Sequence, residues 1–154
     1  MNKFYYTYDL PFGKITIEAD ANAITAVKTE GHIDSGGQKK ATTLTDIAAM
    51  QLEEYFAGKR KKFDMPLNPQ GTDFQLSVWK ALQEIPYGET RSYKQVAEMI
   101  GNPKACRAVG LANNKNPIWV IIPCHRVIGS NGNLTGYGGG LKMKQKLLEI
   151  ERGR

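Results

Sequence analysis

The spacing of apolar residues changes at Asn68-Pro69-Gln70-Gly71, and this change divides the chain in two. Before that tetrapeptide the apolar residues fall in short β-branched runs between turn residues, which is typical of strands. After it they recur every three or four residues between helix-capping signals. The sequence therefore predicts an α+β fold of two small domains, residues 1–70 and residues 71–154, joined by a linker.

The first domain is predicted to be a small α+β unit. Its first two strands are expected to form a hairpin across Pro11-Phe12-Gly13. The basic run Lys59-Arg60-Lys61-Lys62 follows a predicted helix end, and we interpret it as a solvated turn. The predicted elements are strands at 4–8, 14–19, 24–28 and 63–67, a loop at 31–41, and a helix at 44–57 that ends at Gly58.

The second domain is predicted to be mostly helical. Capping boxes at Thr72–Gln75 and Ser92–Gln95 open helices that run to Ile85 and Ile100. A last helix is expected over 141–151, with Leu147, Leu148 and Ile150 facing inward and Lys142, Lys144 and Lys146 facing outward. The glycine-rich segment 129–140 is either a flexible hairpin or a loop that approaches a ligand closely.

A further helix is predicted from Asn102, as N-cap with Pro103 at the first position, to Asn113. Together with the preceding short helix it has the pattern of a helix-turn-helix, which places its second helix on DNA. Small side chains make up most of this helix, and Arg107 is its one long exposed candidate. In the alternative interpretation the small residues pack against the preceding helix, and we favour that for Val109 and Leu111.

The tetrapeptide Pro123-Cys124-His125-Arg126 carries the candidate chemistry. It follows Ile118–Ile122, a β-branched run between two prolines that predicts a buried strand. A cysteine held just past a strand end, beside basic neighbours, is suited to be a thiolate nucleophile. The alternative is that Cys124 is only a small buried apolar residue.

Composition excludes several other classes. No run is long enough to cross a bilayer, and two cysteines without C-x-x-C spacing favour neither a disulfide framework nor a zinc site. We therefore expect a cytoplasmic protein with reduced thiols. Residues 1–70 carry nine Lys/Arg and nine Asp/Glu, whereas residues 71–154 carry twelve and six, which accounts for the whole net charge of +6. This asymmetry favours a polyanionic partner for the second domain.

The second half resembles the O6-alkylguanine-DNA alkyltransferase family in blocks that occur in the family's order. The resemblance covers about residues 71–152, whereas the first half matches only in size and α+β pattern, and it lacks the cysteines and histidines of family members that bind zinc there. The matching blocks are Ser92-Tyr93, Pro103-Lys104-Ala105-x-Arg107-Ala108-Val109-Gly110, Asn116-Pro117, Pro123-Cys124-His125-Arg126-Val127-Ile128-Gly129 and Gly136-Tyr137-x-Gly139-Gly140-Leu141.

The resemblance implies a ribonuclease H-like first domain and a winged-helix-like second domain. It also implies direct reversal of DNA damage: a methylated-DNA–protein-cysteine methyltransferase moves the alkyl group of O6-alkylguanine, and of O4-alkylthymine, irreversibly to its own cysteine. No cofactor or metal is implied. The implied partner is double-stranded DNA that contains the lesion, bound by a monomer with no membrane association.

Residue roles follow from the resemblance. Cys124 would accept the alkyl group, His125 would deprotonate it through a water, and Glu151 would orient His125. Tyr93 would sit at the flipped base, and Arg107 would fill the gap that the base leaves. The implied DNA-facing residues also include Ala105 and Ala108, and the implied bracing or pocket residues are Asn116, Val127, Tyr137, Gly138 and Trp119.

Elementary chemistry agrees with these roles. Displacement at a saturated carbon needs a soft, ionised nucleophile, and a donor such as the Tyr93 hydroxyl would assist the departing guanine. On an extended chain adjacent side chains point to opposite sides, which favours a water relay between Cys124 and His125. A base inside a duplex must be flipped out, and a wedge offsets part of that cost.

Two positions depart from the family pattern. Trp119 stands where relatives have smaller residues, and it would disfavour bulky adducts if it narrows the pocket. Gly138 replaces a hydroxyl residue of some relatives, which leaves its backbone N–H as a donor to O6.

Three other functions would account for part of this pattern. An alkyltransferase-like protein that binds lesions without reacting would lack Cys124. A winged-helix transcription regulator would share the helix pair and the positive charge, but it would need no Cys124–His125–Glu151 set. A cysteine hydrolase would turn over many substrate molecules, and a nucleophile between a strand and a loop counts against it.

Overall fold

The computed structural model describes residues 2–29, 36–129 and 140–153. These residues form two compact units. The first is built from the chain up to Gln70 together with Pro117–Ile121, and the second from Gly71–Asn116 and the chain from Ile122 onward. The α+β fold class is confirmed, with a sheet in the first unit and most helices in the second.

The first unit is a four-stranded sheet with the strand order β3-β2-β1-β4. Its hairpin is as predicted, because β1 and β2 pair antiparallel with Leu10 opposite Gly13, whose φ of +116° suits glycine. β4 pairs parallel to β1 and lies in the segment predicted to be a loop, so that prediction was incomplete. The strands are β1 (Phe4–Leu10), β2 (Gly13–Ala19), β3 (Ile24–Thr29) and β4 (Gln38–Lys39).

Helix α1 (Thr43–Phe56) packs on this sheet. Thr42 and Thr45 form its capping box, and Gly58 takes a φ of +75° just past its end. Leu52 and Tyr55 on its inner side are fully buried. The strand predicted at 63–67 was wrong, because only Leu67 forms an isolated bridge, to Ile24.

The run Ile118–Ile122 is buried as predicted, but it is not a strand. Ile118 makes one bridge to Val27, and the chain then turns at Val120, where φ is +69°. The Ile121 N–H donates to the Trp119 carbonyl at 2.8 Å, which closes a γ-turn around Val120. Local hydrogen bonds between residues two apart replace the cross-strand ladder that a strand needs.

The second unit contains the remaining helices, α2 (Asp73–Gln83), α3 (Tyr93–Met99), α4 (Cys106–Asn114) and α5 (Leu141–Glu151). Both predicted capping boxes are present, at Thr72–Gln75 and Ser92–Gln95. α3 and α4 pack together and α2 packs on both, and the Trp79 Nε1–H donates to the Ala112 carbonyl at 2.9 Å. Two short parallel strands, β5 (Arg91–Ser92) and β6 (Val127–Ile128), complete the unit and were not predicted.

Helix α4 begins later than the sequence predicted. Asn102 does not cap it, because the Asn102 carbonyl accepts from Ala105 N–H and closes a turn over Pro103 and Lys104. Ala105 is the N-cap residue and offers no side-chain cap. The resulting helix covers Cys106–Asn114, so Ala105 lies at its entrance rather than inside it.

Candidate functional site

Cys124 begins a single 3₁₀ turn, Cys124–Arg126, which we call the cysteine turn. Its N–H donates to the Ile122 carbonyl at 2.8 Å, and Pro123 between them has φ −82° and ψ 67°, the geometry of an inverse γ-turn. The predicted position just past a strand was therefore wrong. The extended-chain argument that separated Cys124 from His125 does not apply, because this backbone is helical.

Two asparagine side chains hold the backbone around Cys124. Asn116 Nδ2 donates to the Ile122 carbonyl at 2.7 Å, and Asn113 Nδ2 donates to the Cys124 carbonyl at 3.3 Å. Asn116 was predicted to brace this segment, whereas Asn113 was not singled out. The cysteine is only 5% exposed as a residue, so it is buried rather than on the surface.

His125 is completely buried, and its Nε2 lies 2.6 Å from Glu151 Oε2. Burial lowers the His125 pKa below the ordinary 6.5, and the hydrogen bond to Glu151 opposes that shift. A neutral imidazole with Nε2–H directed at Glu151 has Nδ1 as its basic nitrogen. The sequence-distant pair His125 and Glu151 is thus brought together, because α5 packs against the cysteine turn.

Arg126 fixes the other side of Glu151. Its Nε and Nη2 donate to the two carboxylate oxygens at 2.9 and 3.0 Å, and the Gly88 N–H donates to Oε1 at 3.1 Å. The Arg126 Nη1 donates to the Ile85 carbonyl at 2.6 Å, and its guanidinium lies over the Tyr87 ring. Sequence reasoning gave Arg126 only the role of a basic neighbour to Cys124. Its place in the chain carried no signal of this bidentate pairing.

Lys144 is buried, which contradicts its predicted outward position. Its Nζ donates to the Val127 carbonyl. Burial lowers the Lys144 pKa to about 8, and the negative charge of a Cys124 thiolate opposes that shift. The signal was available, because Lys144, Leu147, Leu148 and Glu151 follow the i, i+3, i+4, i+7 spacing of one helix face. The prediction that Lys144 faces outward was wrong because it relied only on the charge of the side chain.

The predicted DNA-facing residues lie on or beside α4. Arg107 and Ala108 are exposed, and Ala105 is half-buried. The ring of Tyr93, from the start of α3, lies 3.8 Å from the point where a Cβ would stand on Gly110. A side chain at 110 would therefore make only an ordinary van der Waals contact with the Tyr93 ring. Leu111, predicted to pack inward, is instead 65% exposed.

The predicted pocket residues are only partly described. Val127 is buried in the second unit, at the start of β6. Trp119 is buried in the first unit, where its ring lies 6.1 Å from that of Phe56. Tyr137 and Gly138, with the rest of the glycine-rich segment between 130 and 139, lie outside the described residues.

Neither a metal site nor a membrane span was found in the part of the chain that the structure describes. Within residues 2–29, 36–129 and 140–153, no three His, Cys, Asp or Glu side chains group as they would around a metal ion. None of the helices in the same ranges is both long and apolar enough to traverse a bilayer.

Family models match both halves of the chain. Residues 3–69 match the ribonuclease-like domain of 6-O-methylguanine DNA methyltransferase, and residues 73–153 match the DNA binding domain of the same family.

Individual proteins are similar over nearly the whole chain. A methylated-DNA–protein-cysteine methyltransferase of Methanosarcina acetivorans is 50% identical, over 96% of this chain and 97% of its own length. The constitutive enzyme of that name from Bacillus subtilis is 45% identical over 97% and 95%. The crystal structure of Mycobacterium tuberculosis OGT in complex with DNA superposes with a TM-score of 0.91 at 48% identity, covering 97% of this chain and 93% of that one.

Proposed function

This chain belongs to the 6-O-methylguanine DNA methyltransferase family, and from that membership we propose which of its residues perform the reaction. The activity is direct-reversal DNA repair, in which an alkyl group moves from DNA to one of the protein's own cysteines. The proposal concerns the acceptor cysteine, the groups that activate it, and the lesions that it repairs.

Cys124 is the proposed acceptor. The chain has two cysteines, and the other one, Cys106, lies exposed on α4. The observation that carries the choice is the 2.6 Å contact between His125 and Glu151, because it places an oriented base directly after Cys124 in the chain. Arg126 holds the Glu151 carboxylate in place through two hydrogen bonds, and Glu151 in turn fixes the imidazole tautomer.

The proposed reaction conserves protons and charge. The Cys124 thiol gives its proton through a water to Nδ1 of His125, and the thiolate attacks the alkyl carbon. The carbon–sulfur bond forms as the carbon–O6 bond breaks, and the electron pair stays on guanine. The Tyr93 hydroxyl donates toward N3 of the departing base, which limits its negative charge. The thioether product has no leaving path, so each molecule reacts once.

The proposed substrates are O6-alkylguanine and O4-alkylthymine in double-stranded DNA. A lesion inside a duplex must leave the base stack to reach the sulfur of a cysteine residue that is only 5% exposed. α4 would lie in the minor groove, where Ala105 and Ala108 allow close approach and Arg107 fills the vacated space. The protein would act as a monomer without a cofactor, and its cytoplasmic location stays a prediction from the sequence.

The remaining pocket assignments are part of the same proposal. Asn116 would brace the backbone before Cys124, and Val127 with the Tyr137–Gly138 segment would line the base pocket. Trp119 would restrict the size of the alkyl group. An unchanged ratio of rates on O6-methylguanine and O6-benzylguanine in Trp119→Ala would exclude that role.

The test is intact mass spectrometry after mixing the protein with a duplex that contains one O6-methylguanine. We expect a gain of one methyl group, located on Cys124 and limited to one equivalent. Cys124→Ala should gain no mass, and Cys106→Ser should behave like the unmodified protein. Methylation of Cys106, or a gain in Cys124→Ala, would contradict the assignment.

A further inference from the structure

The geometry points to Lys144 as a positioning residue whose ammonium group holds the sulfur of Cys124 in its thiolate form. This inference rests on the proposed role of Cys124 as the acceptor. Lys144 would thus activate the Cys124 thiol in addition to the His125–Glu151 pair, to which it does not belong.

The position of Lys144 is fixed by two elements. It lies in the first turn of α5, on the buried face that also carries Leu147 and Glu151. Its Nζ donates to the carbonyl of Val127, which follows the cysteine turn directly in the chain. The ammonium group is thus held against the segment that carries the sulfur, and α5 packs against that segment.

The charges around this position form two pairs. Arg126 binds Glu151 through two hydrogen bonds, so those two charges offset each other. Burial lowers the pKa of His125, Arg126 and Lys144 lower it further, and Glu151 opposes the shift. Lys144 attracts the negative charge of Cys124, and Coulomb attraction is mutual. The buried group is therefore electrically balanced when Cys124 is a thiolate and Lys144 is an ammonium ion.

Burying a lysine among apolar residues costs stability, so a lysine at this position indicates a role other than packing. The ordinary solution for an inward site on an amphipathic helix is an aliphatic residue, as at Leu147 and Leu148. Lys144 is instead a charged residue held by the Val127 carbonyl, in the helix that packs against the cysteine turn, and this charge costs stability that an aliphatic residue would not. Methionine would fill the same volume without charge, which makes Lys144→Met the matched variant.

The first experiment titrates the Cys124 thiol by thiolate absorbance in a Cys106→Ser background, where Cys124 is the only cysteine. We expect Lys144→Met to raise the thiol pKa by about one unit or more, so that the thiolate fraction and the iodoacetamide rate fall about tenfold at a pH below both pKa values. The rates should converge at a pH above both pKa values. Lys142→Met, exposed on the same helix, is the control and should leave the thiol pKa unchanged.

The second experiment needs no change at Lys144. Removing the thiolate charge must lower the Lys144 pKa by the same coupling. We expect the ¹³Cε titration of labelled Lys144, followed by NMR, to move to lower pH when Cys124 is methylated by O6-methylguanine DNA.

The outcomes separate the two proposals. An unchanged thiol pKa in folded Lys144→Met, or an unchanged Lys144 titration after methylation, would overturn the role of Lys144 while methyl transfer to Cys124 stands. If Lys144→Met does not fold, the NMR titration alone decides. Failure of Cys124 to gain the methyl group would remove the acceptor assignment itself.

Discussion

At the scale of single residues, two arginine–glutamate pairs among the described residues lie in opposite surroundings. Arg126 and Glu151 are buried together, whereas Arg60 and Glu54 form a pair at 2.8 Å whose side chains are 28% and 40% exposed. Removing one partner of a buried pair leaves the other charge buried without compensation. In an exposed pair, water solvates the charge that remains.

We expect Arg126→Met to lower the free energy of unfolding by about 3 kcal/mol or more, because Glu151 then stays buried without its two strongest donors. Arg60→Met is the matched control and should cost less than about 1 kcal/mol. Urea denaturation at pH 7 measures both. Equal effects from the two substitutions would contradict the buried network as described.

The buried imidazole gives stability a defined dependence on pH. Because folding holds the His125 pKa below 6.5, the folded protein binds fewer protons than the unfolded chain as the pH falls below 6.5. Stability should therefore decrease on acidification, by up to about 1.4 kcal/mol per pH unit from this group. We expect His125→Gln to show a shallower decrease than the unmodified protein between pH 6.5 and 5, measured by urea denaturation. Parallel curves would show that His125 does not titrate in this range.

At the scale of elements, two glycines at helices have opposite environments. A Cβ on Gly71, just before α2, would stand 2.6 Å from the Trp79 ring and 2.7 Å from Gln75 Oε1. A Cβ on Gly110, inside α4, would have only ordinary contacts with Tyr93 at 3.8 Å.

We expect Gly71→Ala to destabilise the protein by about 1 to 3 kcal/mol, because a buried indole must move. Gly110→Ala should stabilise it by about 0.5 to 1 kcal/mol, since alanine favours helix and has room. Thermal denaturation of both variants gives the comparison. A destabilised Gly110→Ala would mean that α4 lies closer to Tyr93 than described.

The role proposed for Arg107 belongs to α4 as a groove-binding element. A wedge matters only where a base must be extruded from a stack. We expect Arg107→Ala to slow methyl transfer from duplex DNA by about tenfold or more, at a flipping cost of a few kcal/mol, and to leave the rate on single-stranded DNA nearly unchanged. Single-turnover rates on both DNAs measure this, with Lys59→Ala, an exposed lysine in the neutral half of the chain, as the control. Equal slowing on both would contradict the wedge role.

The elements that sequence reasoning predicted share one property, which is a strong local signal. α5 begins and ends as predicted, and the hairpin and two capping boxes were found from their turn and cap residues. The elements that were not predicted correctly are determined by tertiary contacts, which leave no local signal in the sequence. Strands of two residues leave no periodicity, and the turn at Val120 puts a β-branched residue at positive φ, which no propensity favours.

The residues of the candidate site also fall into those with a signal in the sequence and those whose roles depend on tertiary packing. Cys124, His125 and Glu151 were identified because they match a family motif, and the structure brings the last two together. Arg126, Lys144 and Asn113 were missed as parts of the site because their roles exist only once α5 and α4 pack around the cysteine turn.

At the scale of the whole molecule, the net positive charge is confined to one half of the chain. The twelve Lys/Arg against six Asp/Glu of residues 71–154 predict that phosphate contacts come from that half. Lys104 and Lys115 are exposed on either side of α4, and Lys59 and Lys62 are exposed in the neutral half.

We expect the double variant Lys104→Gln/Lys115→Gln to reduce the slope of log affinity against log salt concentration by about 1 to 2, since each lost phosphate contact removes about 0.9. The double variant Lys59→Gln/Lys62→Gln removes the same charge and should leave the slope unchanged. Fluorescence anisotropy with duplex DNA at several salt concentrations measures both. Equal slopes for the two variants would show that the charge asymmetry does not direct binding.

The γ-turn before Cys124 also limits which chemistry this sulfur can perform. A cysteine that attacks a carbonyl generates an oxyanion, and the nucleophile's own N–H commonly stabilises that charge. Here the Cys124 N–H is committed to the Ile122 carbonyl at 2.8 Å. Alkyl transfer develops no oxyanion at the carbon under attack, so it loses nothing by this commitment. The backbone that would present the proposed acceptor sulfur to alkyl groups therefore lacks this donor for the cleavage of esters or amides, so we expect the turn geometry to favour alkyl transfer over hydrolysis.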